Sequence, residues 1–166
     1  LFMSMSCNSK VNDPIDLEVY NFEGIAPYLN LEGSKTYVVN FWATWCAPCV
    51  KELPHFESLQ SKYIDSVEVI LVSLDFPHQY ETKLKPFIQK HQLKSKVVVL
   101  DDPDMNSWIP RVNPQWDGAI PVTLIYNVSK RSFYSRTFTY KELETFLLNM
   151  AQMLQYGSDG SPFRTQ

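Results

Sequence analysis

Cysteine is scarce: three in 166 residues, too few for a small fold stapled by disulfides. The three histidines, His55, His78 and His91, fall at no zinc-ligand spacing, and there is no second close pair of cysteines, so no metal is expected. An excess of one charge is lacking too. The net charge is -3 and the basic residues are scattered, Lys94 and Lys96 being the densest cluster in the middle of the chain, which leaves no electrostatic footprint for nucleic acid. No run of 18 apolar residues occurs, so nothing in the sequence given reads as a membrane-crossing helix. Internal repeats and low-complexity tracts are missing as well. What remains, 45% hydrophobic and 20% charged residues, suits one globular domain with an ample core.

What is present is concentrated in residues 38–54, VVNFWATWCAPCVKELP. Cys46 and Cys49 stand two residues apart, after a hydrophobic run and before a helical pattern, the context in which such a pair reads as redox-active. With Cys46 ahead of the first helical turn and Cys49 inside it, the sulfurs can reach disulfide distance with little backbone movement. A thiolate on Cys46 also faces the unpaired N–H groups and positive dipole end of that helix. Such placement lowers a cysteine pKa from about 8.5 into roughly 3.5–7.5. Cys46 is therefore the attacking thiol and Cys49 the resolving one. The rival readings, a zinc site or a purely structural disulfide, lack further ligands or a reason for this strand-to-helix setting.

Taken in order, residues 13–20 alternate Ile15, Leu17 and Val19 as a short strand does. A helical patch over 22–31 is interrupted at Gly24 and Pro27. Residues 36–42 are apolar at nearly every position, as in a central strand covered on both faces. From 49 to 64, Leu53, Phe56, Leu59 and Tyr63 recur at helical spacing, with Pro54 predicting a kink. Residues 67–74 form a second central strand, completing a right-handed βαβ unit. A helix over 81–91 and a strand over 97–100 follow, then a short helix over 105–109 led by Asp101 to Asp104, and a loop over 110–118. Residues 122–127 form a strand and 131–138 a polar, alternating edge strand. Thr139 with Glu142 makes a capping box for a closing helix that presents Leu143, Phe146, Leu147, Met150 and Leu154 on one face.

The stretch NFWATWCAPCVKELP resembles the thioredoxin superfamily, and within it the TlpA/ResA-like extracytoplasmic thiol-disulfide oxidoreductases. Thioredoxin itself usually has an acidic residue where this chain has Asn40 and glycine where it has Ala47, whereas the TlpA/ResA-like branch has Asn before Phe-Trp and a Glu at the position of Glu52. The likeness runs more loosely from about residue 16 to 153. It implies an α/β, thioredoxin-like fold, a central mixed sheet flanked by helices, with the helix and strand at 81–100 as an insertion also seen in peroxiredoxins. The stretch GAIPVTLIY resembles the cis-proline loop of the superfamily. A cis Pro121 there leaves the backbone of Ile120 free to pair with an extended substrate, against a base rate of about 5–6% cis for X-Pro bonds.

Most helix glutamates are solvated surface residues. Glu52, however, lies three positions beyond Cys49 on nearly the same helical face, where a carboxylate can take the Cys49 proton; the resemblance implies that role. Ala47 and Pro48 set the dipeptide between the sulfurs, Pro48 removing one N–H from the helix start. Trp42 reads as core, Trp45 as the rim of a docking surface, and Trp116 and Asp117 either as part of the same groove or as plain loop. His55 and His91 read as helix-surface residues.

The resemblance further implies disulfide exchange without metal or organic cofactor. It implies protein disulfide substrates, an upstream thiol-disulfide electron donor, a place in the bacterial periplasm or cell envelope, and a reducing task such as cytochrome c maturation. Two other classes are weighed against it. A peroxiredoxin needs P-x-x-x-T-x-x-C, and here Thr44 is only two residues before Cys46; a non-catalytic binding module needs no working pair. Oxidation rather than reduction of substrates stays open, since about 30 mV corresponds to about 1.4 kcal/mol for this two-electron couple. Cys7 is the cysteine left over. Met5-Ser6-Cys7 is a loose lipobox, with Ser4 where Leu is usual, so two readings stand: membrane attachment through a lipidated Cys7, or a flexible N-terminal segment. The domain is expected at 13–156, between an N-terminal segment at 1–12 and a flexible tail at 157–166.

Overall fold

A computed structural model describes residues 15–155, with side chains through Ala151. Cys7, the segment 1–12, the tail 157–166 and the side chain of Leu154 lie outside the described residues. The elements are β1 (Glu18–Tyr20), α1 (Phe22–Ile25), β2 (Thr36–Trp42), α2 (Ala47–Lys62), β3 (Val67–Ser73), α3 (Lys85–His91), β4 (Lys96–Leu100), α4 (Met105–Val112), β5 (Val122–Tyr126), β6 (Arg131–Tyr134) and α5 (Tyr140–Gln155). The strands form one mixed sheet in the order β1-β4-β3-β2-β5-β6. β1, β4, β3 and β2 run parallel, and β5 and β6 are antiparallel additions.

Strand β2 is buried at every position, because β-branched and aromatic residues alternate between two covered faces. Val38 and Trp42 point into a core shared with Leu53, Phe56 and Leu59 of α2 and Leu143 and Leu147 of α5. Tyr37, Val39 and Phe41 point into the opposite core with Phe22 and Ile25 of α1 and Trp108 and Val112 of α4. Helices thus cover both faces of the sheet, in the thioredoxin-like α/β arrangement. Asn40 breaks the apolar series on the α2 side. Its cross-strand partner on β5 is Thr123, so two polar residues sit side by side beneath α2.

Helix α2 runs unbroken from Ala47 to Lys62 through Pro54. Before α3 the chain makes a 3₁₀ turn (Pro77–Gln79) and a π turn (Tyr80–Leu84) where a regular helix over 81–91 was expected. Pro86 lacks the N–H that a continuous α-helix needs and sits at the second position of α3. Two boundaries also differ from expectation. α4 continues through Pro110 to Val112, since burial of Trp108 and Val112 on the sheet outweighs one lost hydrogen bond. β6 ends at Tyr134, opposite Thr123, because the partner strand is about to run into Pro121, which has no N–H to offer. The capping box of α5 forms: Thr139 N–H donates to Glu142 at 2.8 Å and Glu142 N–H to Thr139 Oγ1 at 3.3 Å.

Phe56 carries α2 on the sheet and has no exposed surface. Phe56→Ala is expected to lower the unfolding free energy by about 3–5 kcal/mol, read by urea denaturation with the cysteines kept in one redox state. A loss below about 1 kcal/mol would show that α2 is held by other contacts.

Candidate active site

Cys46 is the N-cap of α2, with extended backbone, and its sulfur accepts the N–H of Cys49 at 3.3 Å. The two cysteines are joined as a disulfide. Cys49 is fully buried while Cys46 keeps 6% of its surface exposed, so Cys46 is the sulfur an incoming group meets. Ala47 and Pro48 are exposed at the helix start, Pro48 lying where a helix has no use for its N–H. Across from them the Ile120–Pro121 peptide is cis, and the Ile120 carbonyl oxygen lies 3.8 Å from Cys46 Sγ. The structure thereby brings together Trp45, Cys46, Ala47, Pro48, Cys49, Ile120 and Pro121 from two ends of the chain. Trp45 is half exposed and stacks on Phe76.

Glu52 is 2% exposed, one turn further along α2. Its Oε1 accepts the amide of Asn40 at 3.1 Å, and its Oε2 accepts the backbone N–H of Phe138 at 2.8 Å. The same Asn40 amide donates to Thr123 Oγ1 at 3.0 Å. Removal from water disfavours the carboxylate and pushes the Glu52 pKa up to about 7, the two hydrogen bonds opposing this only in part. A cavity of about 320 Å³ lies against this residue, lined by Pro48, Lys51, Glu52, His55, Thr137 and Phe138. His55 is half-buried at its wall, whereas His91 is exposed and stacks on Phe87.

The turn between β2 and Cys46 is held by a residue the sequence reading passed over. Asp75 is 2% exposed just after β3. It accepts the backbone N–H and the hydroxyl of Thr44 and, at 2.8 Å, the hydroxyl of Ser73. An acidic residue closing an apolar strand was the available signal, but only the fold shows which turn it reaches. Trp116, read as groove or loop, belongs to the core instead. It is 5% exposed, packs on Phe41 and Trp108, and donates Nε1–H to Ala119 O at 2.7 Å. Asp117 is exposed and accepts the N–H of Ala119. Among the described residues no cluster of His, Cys, Asp and Glu is arranged to hold a metal ion.

The elevated Glu52 pKa has a consequence for stability. The folded protein holds the Glu52 proton up to pH about 7, while the unfolded chain releases it near its ordinary value of about 4.3. The native state thus binds more protons between these values, and stability falls as pH rises through that window, by up to about 4 kcal/mol. Glu52→Gln is expected to flatten this slope in urea titrations between pH 4.5 and 7.5, and an unchanged slope would sink the assignment.

Residues 22–128 match the AhpC/TSA family. The chain is 30% identical over 84 residues to the thioredoxin-like protein YneN of Bacillus subtilis, covering 51% of this chain and 49% of that protein. It is 37% identical over 71 residues to the thiol-disulfide oxidoreductase ResA of Bacillus cereus, covering 42% and 39%. The chain thus spans about half or less of the length of these curated relatives. Among solved structures, a DsbF homologue from Corynebacterium diphtheriae superposes with a TM-score of 0.59 at 17% identity, over 76% of this chain and 75% of that one, which speaks for the fold alone. With a family match spanning α1 to β5 and a cysteine pair seated at the strand-to-helix turn of a thioredoxin-like sheet, the chain belongs to the AhpC/TSA family.

Proposed function

We propose that the chain is a protein thiol-disulfide oxidoreductase that acts on polypeptide disulfides outside the cytoplasm, in the reducing direction. The observation that carries this reading is the Cys46–Cys49 disulfide at a helix N-terminus, 3.8 Å from the Ile120 carbonyl, with a buried carboxyl one turn away. In the reduced protein the helix N-terminus stabilises negative charge on Cys46. The Cys46 thiolate attacks one sulfur of a substrate disulfide, forming a mixed disulfide and releasing the other substrate sulfur as thiolate. The substrate backbone lies along Ile120, and Trp45, Ala47 and Pro48 form the exposed rim around the reacting sulfur.

Cys49 then passes its proton to the Glu52 carboxylate and attacks the Cys46 sulfur, which closes the protein disulfide and frees the second substrate thiol. Cys49 is out of contact with solvent, and Glu52, at a pKa of about 7, is divided between acid and base near neutral pH, the poise that proton transfer needs. The cycle restarts when an upstream dithiol reduces the pair. An extracytoplasmic setting suits a domain whose work depends on disulfide formation; a share in cytochrome c maturation, a lipid anchor on Cys7 and the domain bounds 13–156 are parts of the same proposal. The peroxidase alternative is disfavoured because Thr44 stands two residues before Cys46 where P-x-x-x-T-x-x-C needs three.

Cys49→Ser is expected to accumulate a mixed disulfide with a model protein disulfide on non-reducing mass spectrometry, and Cys46→Ser to form none. A titration in dithiothreitol and glutathione buffers should give a two-electron transition below roughly -230 mV, whereas a value near about -120 mV would make the protein an oxidant. Glu52→Gln should slow closure of the mixed disulfide by about a hundredfold and remove its pH dependence near 7. Rapid peroxide consumption by the reduced protein would overturn the proposal in favour of a peroxidase.

A further inference from the structure

A second cavity, of about 300 Å³, opens on the other side of Cys46 from the Glu52 cavity. Trp45, Phe76, Pro103, Met105, Trp108 and Ile120 supply most of its apolar wall, and it is therefore contiguous with the carbonyl that lies 3.8 Å from Cys46 Sγ. Of seven large apolar side chains left exposed among the described residues, three gather at this mouth: Trp45 at 52%, Phe76 at 54% and Met105 at 48%. The rings of Trp45 and Phe76 lie nearly parallel, 14° apart with centroids 6.3 Å from each other. An apolar concavity rimmed by exposed rings is costly in water and is the usual form of a recognition site.

Its polar groups are three carboxylates in different states of use. Asp75 is consumed by Thr44 and Ser73, and Asp102 accepts the backbone N–H groups of Phe22 at 3.1 Å and Asp104 at 3.0 Å. Asp101 is exposed and, among the described residues, is in none of the ion pairs. The mouth thus presents one uncommitted negative charge beside an apolar slot.

We infer that this cavity is a specificity subsite for the substrate polypeptide: it takes a bulky apolar side chain, aromatic above all, adjacent to the reacting cysteine, with a cationic side chain next along the chain set against Asp101. The inference rests on the disulfide-exchange reading. Two features of the structure choose this occupant over others. The slot starts at Ile120, where the backbone bearing the attacked sulfur must pass, and its volume of about 300 Å³ and largely apolar lining suit a ring. The recess beside Pro48 at the opposite rim is lined by the ionisable side chains of Lys51, Glu52 and His55, which suit an apolar ring less well. Selectivity then comes from burying a side chain that a small disulfide lacks, and from steering by the single charge.

The test uses short peptides closed by one disulfide and identical except next to the first cysteine, where Trp-Lys, Ala-Lys or Trp-Glu follows; oxidised glutathione serves as a disulfide without side chains for the slot. Reduction rates by the reduced protein are measured under second-order conditions. The Trp-Lys peptide is expected to react about tenfold faster than Ala-Lys, and faster than Trp-Glu by a margin that shrinks with salt. Phe76→Ser and Met105→Gln, read singly because both side chains are exposed, should each bring the Trp to Ala ratio down, and Asp101→Asn should erase the preference for Lys. Equal rates for Trp-Lys and Ala-Lys, or a ratio that survives both Phe76→Ser and Met105→Gln, would overturn the subsite while leaving disulfide exchange in place. Failure to reduce any of the peptides or glutathione disulfide would remove the exchange reading and the subsite together.

Discussion

A carboxyl group almost without access to water is the constraint on which the rest of this site depends. Burying Glu52 without partners is strongly unfavourable, and the partners it has come from different parts of the fold: the Asn40 side chain on β2 and the Phe138 N–H ahead of α5. Meeting both fixes the rotation of α2 about its axis. Once that rotation is fixed, Cys49 must face inward and Cys46 must sit at the sheet edge beside Ile120. Asn40 is fixed in turn by its antiparallel register with Thr123, so the sheet itself sets where the helix face can lie. Deleting either donor leaves a buried polar group unpaired rather than simply removing a bond.

Two buried acids therefore sit in different surroundings, Glu52 on α2 itself and Asp75 just after β3. Glu52 sits among α2 and β2 atoms with two donors and is held close to neutrality in protonation. Asp75 is surrounded by the Thr44 N–H, the Thr44 hydroxyl and the Ser73 hydroxyl, and clamps the turn that delivers Cys46 to the helix start. The apolar cavity lies on the Asp75 side and a second cavity lies against Glu52.

Much of this was legible because it is contiguous in the chain. The W-C-A-P-C run, the buried strand before it, Glu52 at helical spacing and the Thr139–Glu142 capping box all depend on neighbours within a turn or two. What escaped reading depends on tertiary position. Asp75 looks like any acid after a strand until the parallel pairing of β2 with β3 places it under Thr44. Phe138 contributes a backbone N–H, which no side-chain pattern announces. Trp116 read either as groove lining or as plain loop because it lies just ahead of Pro121, yet the opposite core draws it in against Phe41. Pro110 suggested a helix end, and the burial of Val112 overrode it. Phe76, between a strand and a helical pattern, has no periodicity to place it, and only the fold sets it beside Trp45.

The Glu52 link to Phe138 spans 86 residues, the Asn40 link to Thr123 spans 83, and the approach of Cys46 to Ile120 spans 74. A chain emerging from the ribosome amino end first therefore carries its cysteine pair in the open until the last third has been made. Closing the helix turn needs only local residues, whereas Ile120, Thr123 and Phe138 arrive later. During synthesis the pair is a reactive dithiol without a gatekeeper, and the order in which this molecule is built makes its own site the one most in need of shelter.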